Sequence, residues 1–148
     1  MSINKSELRI GNLVVLAHES KFPVAAITEI KTSCVCAMPL TAKYDEYVMY
    51  KDLMPIELSD EWLERLGFIK EESSDIEERV IWSIQVANNT SLYYDKDHGD
   101  KQWYLSVFDN NNHFQNDFWN KPEHIHSLQN LFYCLSGEEL TIKEPINE

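Results

Sequence analysis

Histidine and cysteine pairs are the residues of this chain whose spacing comes nearest to metal chemistry. Cys34 and Cys36 stand two residues apart in an apolar run, so a strand would place both thiols on one face. A structural zinc site takes four ligands, and the third cysteine, Cys134, is remote in the sequence. His124 and His126 are also two apart, which puts their rings on different sides of a helix. The sequence therefore predicts buried free thiols in a reducing compartment and no metal site.

Signatures of enzyme chemistry are missing from the sequence. It has no G-x-S-x-G elbow, P-loop, dinucleotide fingerprint or H-E-x-x-H pair, and four scattered glycines cannot build a phosphate cradle. The loop 95–100 has the composition of a calcium loop, but its glycine comes fifth rather than sixth. We predict no catalytic residue and no cofactor. Because carboxylates are abundant, a catalytic Asp/Glu pair stays open, and with it the question of enzymatic activity.

Aromatic side chains are the most suggestive binding groups. Eleven of the seventeen Phe, Tyr and Trp residues lie in the stretch 82–133. In a strand, one member of each of the pairs Tyr93-Tyr94 and Trp103-Tyr104 must face away from a one-sided core. Exposed tyrosines are typical anchors of protein interfaces. We therefore predict Tyr93 and Tyr104 as protein-binding residues; the structural alternative is a helix that covers this second face.

The charge of the chain is strongly acidic and uneven. The net charge is −12, and residues 1–55 balance six Lys/Arg against six Asp/Glu, whereas 56–79 and 80–148 each carry −6. Such a field repels phosphate backbones, so the sequence argues against direct binding of nucleic acid. Solubility alone explains the acidity. The alternative is an acidic face that docks on a basic partner, including mimicry of DNA.

Short strands separated by turns are predicted for the first third of the chain. A turn at Gly11-Asn12 precedes the first strand, and a tight helical turn at 51–55 precedes the last. The apolar runs that predict strands are 13–16, 24–30, 34–38, 47–50 and 56–58. Five strands at this spacing favour a small SH3-like β-barrel over residues 1–58.

A helix, an antiparallel sheet and a second helix are predicted for residues 59–148. Ser59 caps a two-turn helix that Gly67 ends, and the charged stretch 70–79 is predicted to be an exposed connector. Apolar alternation then predicts a meander, covered by a final helix from Pro122 to Gly137. The strands of the meander are predicted at 80–87, 91–94, 102–108 and 113–119. The fold class is therefore α+β.

Targeting and membrane signals are missing as well. The first residues lack the apolar core of a signal peptide, and no apolar run approaches the roughly 18 residues that a membrane helix needs. We expect a cytoplasmic protein without a membrane span, and the sequence leaves its oligomeric state open.

Three segments carry a resemblance to a known group of proteins. They are Leu8–Val14 (LRIGNLV), Pro55–Phe68 (PI-x-L-S-x-EWL-x-x-x-GF) and His126–Leu140 (H-x-LQNL-x-x-x-LSGEEL). The chain resembles short uncharacterised proteins that are common in Bacteroidetes genomes, their phages and other mobile elements. The resemblance implies such a setting, with the host cytoplasm as location, and it carries no reaction, cofactor or site.

Polar residues of the third segment suggest a second candidate site. A helix places His126 and Asn130 on one face, where they can hydrogen-bond the sheet or line a ligand pocket. The sequence thus favours a non-enzymatic protein-binding or adaptor module that uses Tyr93, Tyr104 and the acidic half of the chain. Two alternatives remain: a DNA-mimic inhibitor of a host defence protein, and a small-ligand binder or enzyme with a pocket at His126 and Asn130.

Overall fold

The chain is described by a computed structural model over residues 3–18, 21–71, 79–97, 100–109, 112–117 and 121–143. Antiparallel sheets and a C-terminal helix make it an α+β protein, as the sequence predicts. Its contacts separate two compact units. The first combines Met1–Leu58 with Pro122–Tyr133, and the second combines Ser59–Lys121 with Cys134–Glu148. The first unit therefore includes part of the stretch that the sequence assigns to the second lobe.

The first unit contains a five-stranded antiparallel sheet in the order β4-β3-β2-β1-β5. Its strands are β1 (Leu13–Leu16), β2 (Val24–Ile30), β3 (Cys34–Pro39), β4 (Glu46–Met49) and β5 (Leu53–Met54). The predicted strands 13–16 and 24–30 coincide with β1 and β2. Alternation along the strands buries one set of small and branched side chains as a core. This core consists of Ile3, Leu8, Val14, Leu16, Ala25, Ile27, Val35, Ala37, Val48 and Leu53.

The segment after β5 differs from its prediction as a strand over 56–58. The last strand of the sheet comes earlier, directly after one 3₁₀ turn at Tyr50–Asp52. Pro55 has no N–H, which explains why the ladder to β1 stops before it. The backbone of 56–58 instead pairs with the stretch before the C-terminal helix: Ile125 N–H donates to the Ile56 carbonyl at 2.9 Å. Next to that bond, Glu57 forms an isolated bridge with the residue that precedes Ile125.

The second unit begins with the short helix α1 (Asp60–Arg65), bounded by the predicted signals. The Ser59 hydroxyl accepts from Trp62 N–H at 3.3 Å. At the other end Gly67 adopts a φ of 89°, and Phe68 N–H donates to the Leu63 carbonyl at 3.0 Å. This is the Schellman arrangement, which needs a left-handed residue at the position of Gly67.

A five-stranded antiparallel meander follows in the order β10-β9-β8-β7-β6. Its strands are β6 (Ile69–Glu71), β7 (Val80–Ala87), β8 (Thr90–Asp97), β9 (Asp100–Asp109) and β10 (Asn112–Asp117). The sequence does not predict the strand β6, because 70–79 has the charged composition of a connector. All three of its residues are exposed, so this edge strand lacks the apolar alternation that marks the others.

The C-terminal helix α2 (Ile125–Ser136) carries the predicted apolar stripe, with Ile125, Leu128 and Phe132 buried. It ends before Gly137, as predicted, but it starts after the predicted Pro122. The preceding residues are held extended by the pairing with 56–58 described above, which explains the later start. No helix within the described residues is long and apolar enough to cross a membrane.

Candidate functional site

A stacked pair of tyrosines marks one face of the second sheet. Tyr93 on β8 and Tyr104 on β9 are direct cross-strand partners, with ring centroids 5.0 Å apart and ring planes 6° from parallel. Their sequence neighbours Tyr94 and Trp103 point to the opposite face, where they are buried and stack at 4.5 Å. The alternation expected from the two dipeptides is therefore present, and both outward tyrosines are half-buried. We call the side that carries Tyr93 and Tyr104 the tyrosine face.

An ion pair lies on the same face. Asp95 follows Tyr93 by two residues, so its side chain shares that face, and its residue exposure is only 7%. Arg79 donates to it twice, from Nε to Oδ1 at 3.1 Å and from Nη2 to Oδ2 at 2.5 Å. Such a two-pronged bond orients both groups and keeps the buried carboxylate compensated. Sequence reasoning missed this pair: the position of Asp95 follows from the alternation, but nothing marks Arg79 as its partner.

The two phenols are hydrogen-bond donors at neutral pH. Burial, with a contribution from Glu71, raises the pKa of Tyr93. Burial, followed by Asp95 and Tyr93, also raises the pKa of Tyr104. Among the described residues neither hydroxyl has a hydrogen-bond partner. The tyrosine face thus presents two unused O–H donors beside an ion pair, which suits recognition of an acceptor group.

Gln129 of α2, within the first unit, makes a two-sided hydrogen bond to the backbone. Its Oε1 accepts from Leu13 N–H at 2.8 Å, and its Nε2 donates to the Gly11 carbonyl at 3.1 Å. The side chain is buried, with 1% residue exposure, and so is Leu13, whose N–H it satisfies away from water. The third segment of the family resemblance therefore contacts the first one directly.

Asn130 makes a similar connection one residue later. Its Oδ1 accepts from Asn12 Nδ2 at 2.9 Å and from Arg9 Nη1 at 3.3 Å, and its Nδ2 donates to the Glu7 carbonyl at 2.6 Å. The amide is thus engaged at both ends by the protein itself. A role of Asn130 in a ligand pocket stays a prediction, and the contacts present are structural.

His126 is enclosed in the first unit, with 1% residue exposure. Its Nε2 lies 3.5 Å from Oε2 of Glu7, and its ring is stacked on that of His124 with centroids 5.7 Å apart. Neither ring nitrogen has a normal hydrogen bond to a described residue. Burial is the main cause that lowers the pKa of His126, while Glu7 acts in the opposite direction. The imidazole is therefore neutral near pH 7, and its proposed pocket role likewise stays a prediction.

The cysteines offer no cluster. All three are free, and Cys36 is buried, with its Sγ donating to Glu29 Oε2 at 3.5 Å. Burial raises the pKa of this thiol, which makes it a poor nucleophile. Cys134 is exposed, contrary to the expectation of buried thiols, because it lies beside the apolar stripe of α2 rather than within it. In the described parts of the chain no three His, Cys, Asp or Glu side chains converge on a possible metal position.

Comparison of the chain with protein-family models, with curated proteins and with solved structures finds no match in any of the three. The resemblance noted for the three sequence segments stays a prediction.

Proposed function

We propose that this protein is a non-enzymatic protein-binding or adaptor module that uses its tyrosine face. The observation that carries the proposal is the stacked pair Tyr93 and Tyr104, half-buried and with both hydroxyls unused by described residues. Stacking and partial burial already restrict the two rings in the free protein. Little side-chain entropy is therefore lost when a partner binds. Tyrosine combines a large apolar contact with a polar end, which is why it is enriched at interfaces.

The distribution of charge supports a partner with a basic rim. The second unit contains seven Lys/Arg and seventeen Asp/Glu, a net charge of −10, whereas the first unit has six and eight. The acidity therefore belongs to the unit that carries the tyrosine face. A field of this sign speeds encounter with a basic surface and repels nucleic acid.

The same charge supports a second candidate function, an acidic DNA-mimic inhibitor of a host defence protein. The two candidates differ in what holds the complex together. A mimic binds through carboxylates, so its affinity falls steeply with salt and depends little on Tyr93 and Tyr104. An adaptor that uses the tyrosine face loses its partner when those rings are removed and responds less to salt.

Three further properties belong to this proposal. The first unit is an SH3-like barrel, which five short antiparallel strands with a 3₁₀ turn before the last one support. The sequence resemblance supports a phage or mobile-element protein, and the expected location is the cytoplasm of the host.

Affinity capture from a lysate of the source organism tests the function. Tagged wild type is compared with Tyr93→Ala/Tyr104→Ala and with a control, Tyr44→Ala/Tyr47→Ala, whose tyrosines are 71% and 72% exposed in the first unit. We expect one protein partner that the control retains and the tyrosine-face variant loses. Retention by the tyrosine-face variant, or equal loss in both variants, would contradict the proposed surface.

A milder variant separates loss of binding from loss of folding. Tyr93→Phe/Tyr104→Phe keeps the stacked rings and removes only the two hydroxyls. We expect it to fold like wild type in urea denaturation and to bind the partner more weakly. Unchanged binding would show that the hydroxyls are not used.

A further inference from the structure

A groove of about 440 Å³ lies in the second unit between α1 and the strands β6 and β7. It is lined by Asp60, Glu61, Glu64, Phe68, Lys70 and Trp82. Trp82 is the register partner of Tyr94, so the groove is on the face opposite the tyrosine face. The groove is therefore a separate feature from the proposed interface.

The three carboxylates of the groove differ in whether they have an ion-pair partner. Asp60 is bonded to Lys96, which satisfies its charge. Glu61 and Glu64 are exposed and form no ion pair with any described residue. They are three residues apart on one helix, which places them side by side. Two neighbouring carboxylates without an ion-pair partner are a suitable position for an organic cation, although Lys70 lines the same groove.

The aromatic wall of the groove contains an unused donor. Trp82 is 5% exposed, and its Nε1–H has no hydrogen-bond partner among the described residues. Buried indole N–H groups normally find an acceptor, so an orphan on a groove-lining residue indicates an acceptor that the described residues do not supply. Lys70, directly across from Trp82 on β6, is exposed and also lines the groove.

We propose that the groove binds an extended basic segment of a partner protein. A Lys or Arg side chain lies against Glu61 and Glu64, with the aromatic rings of Phe68 and Trp82 along its stem. A backbone carbonyl of the same segment accepts from Trp82 Nε1–H after the Lys70 side chain moves aside. A peptide has both the cation and the acceptor that these two observations require.

Peptide titrations followed by NMR on the full ¹⁵N-labelled chain test the proposal. The probe is acetyl-Gly-Arg-Gly-amide, and the readout is the Trp82 indole N–H resonance, assigned by its loss in Trp82→Phe. We expect the arginine peptide to shift this resonance and the neutral acetyl-Gly-Gln-Gly-amide to shift it much less. Equal shifts with the two peptides, or none with either, would overturn the proposal.

Charge variants locate the cation. Glu61→Gln/Glu64→Gln is expected to weaken binding of the arginine peptide by roughly fivefold to tenfold. The control Glu57→Gln/Glu123→Gln removes the same charge from two exposed residues of the first unit and is expected to leave the affinity unchanged. If both variants weaken binding of the arginine peptide equally, the effect is one of net charge, which would contradict the groove as the binding site.

A third comparison isolates the indole donor. Trp82→Phe lacks the indole, so its titrations are followed by the backbone amide resonances of Glu61 and Glu64. It is expected to weaken binding of the arginine peptide but not of butylguanidinium, which has the cation and lacks a carbonyl. Equal loss for both probes would refute the role of the N–H. Tyr93→Ala/Tyr104→Ala should keep the affinity for the arginine peptide, so failure of the groove and failure of the tyrosine face are separate results.

Discussion

Asn12 and Asn130 are joined side chain to side chain across 118 residues of sequence, with Asn12 Nδ2 donating to Asn130 Oδ1 at 2.9 Å. The Oδ1 of Asn12 in turn accepts from Arg9 N–H at 2.7 Å, which closes the turn before β1. The turn and the helix α2 therefore stabilise each other. Two of the three segments that suggest a family are, in this chain, the two halves of one hydrogen-bonded contact.

Gln129→Ala should destabilise the first unit. The change leaves the buried Leu13 N–H and the part-buried Gly11 carbonyl without their partner. We expect the free energy of unfolding in urea to fall by about 2–4 kcal/mol. The control Cys134→Ala, on the exposed side of the same helix, should change it by less than about 0.5 kcal/mol. Similar values for the two variants would show that Gln129 is not needed.

Gly67→Ala and Gly137→Ala separate backbone strain from steric overlap. Both glycines have a left-handed φ, 89° and 74°, so each change costs about 1–2 kcal/mol in strain. A Cβ at position 67 would also lie 2.7 Å from Cγ of Lys143, whereas position 137 has open space. We expect Gly67→Ala to be the more destabilising change in thermal or urea unfolding.

The double variant Gly67→Ala/Lys143→Ala checks the steric part. It removes the atoms that would overlap with the new Cβ, so its destabilisation relative to Lys143→Ala alone should fall to the level of Gly137→Ala. A Gly67→Ala penalty that stays the same in both backgrounds would rule out the overlap with Lys143.

His126 should make the stability depend on pH. Its folded-state pKa is lowered, so the folded protein binds fewer protons at this site than the unfolded chain does. The stabilisation is complete above the unfolded pKa of about 6.5, and it is lost as the pH falls toward the folded-state pKa. Glu7 and His124, the titratable neighbours of His126, act on its pKa in opposite directions.

The measurement is the free energy of unfolding in urea of wild type and His126→Gln between pH 5 and pH 7.5. The difference in this free energy between the two proteins should shrink as the pH falls, at up to about 1.4 kcal/mol per pH unit, because only wild type must protonate a buried imidazole. A His126→Gln curve that parallels the wild-type curve would mean that the imidazole does not titrate in this range.

Arg79→Ala should destabilise the second unit by about 2 kcal/mol, because the buried Asp95 carboxylate loses its compensating charge. Arg79→Lys should recover only part of this loss, since an ammonium cannot make the two parallel bonds. A double-mutant cycle with Asp95→Ala measures the pair itself, and we expect a coupling of about 1–3 kcal/mol. A coupling near zero would contradict a paired geometry in solution.

Local signals were enough to predict α1 and the orientation of the two tyrosines. Ser59 and Gly67 lie at the ends of the helix they mark, and a period of two is sufficient to put Tyr93 and Tyr104 on one face. The structure differs from the sequence predictions where residues that are distant in the sequence pair. Nothing near 56–58 indicates that its backbone bonds to the residues before α2, and nothing near Arg79 points to Asp95, sixteen residues away.

The groove could not be predicted for a related reason. Glu61 and Glu64 read as ordinary solvated charges on a short helix, and Trp82 reads as an ordinary core residue of β7. These residues form a groove only because the fold places them next to Lys70 on the edge strand β6, which the sequence does not predict. A site of this kind depends on tertiary placement, which residue types and spacing alone do not determine.

The composition of the first unit has a consequence for synthesis on the ribosome. Its strands β1 to β5 emerge early, but the helix residues that hydrogen-bond Gly11 and Leu13 are translated only after the whole of 59–121. Until then the backbone groups at the start of β1 have no Gln129 to pair with, and closing a loop of this length is slow. The first unit of the nascent chain therefore stays incompletely folded while 59–121 are translated. Completion of the first unit follows the translation of 59–121.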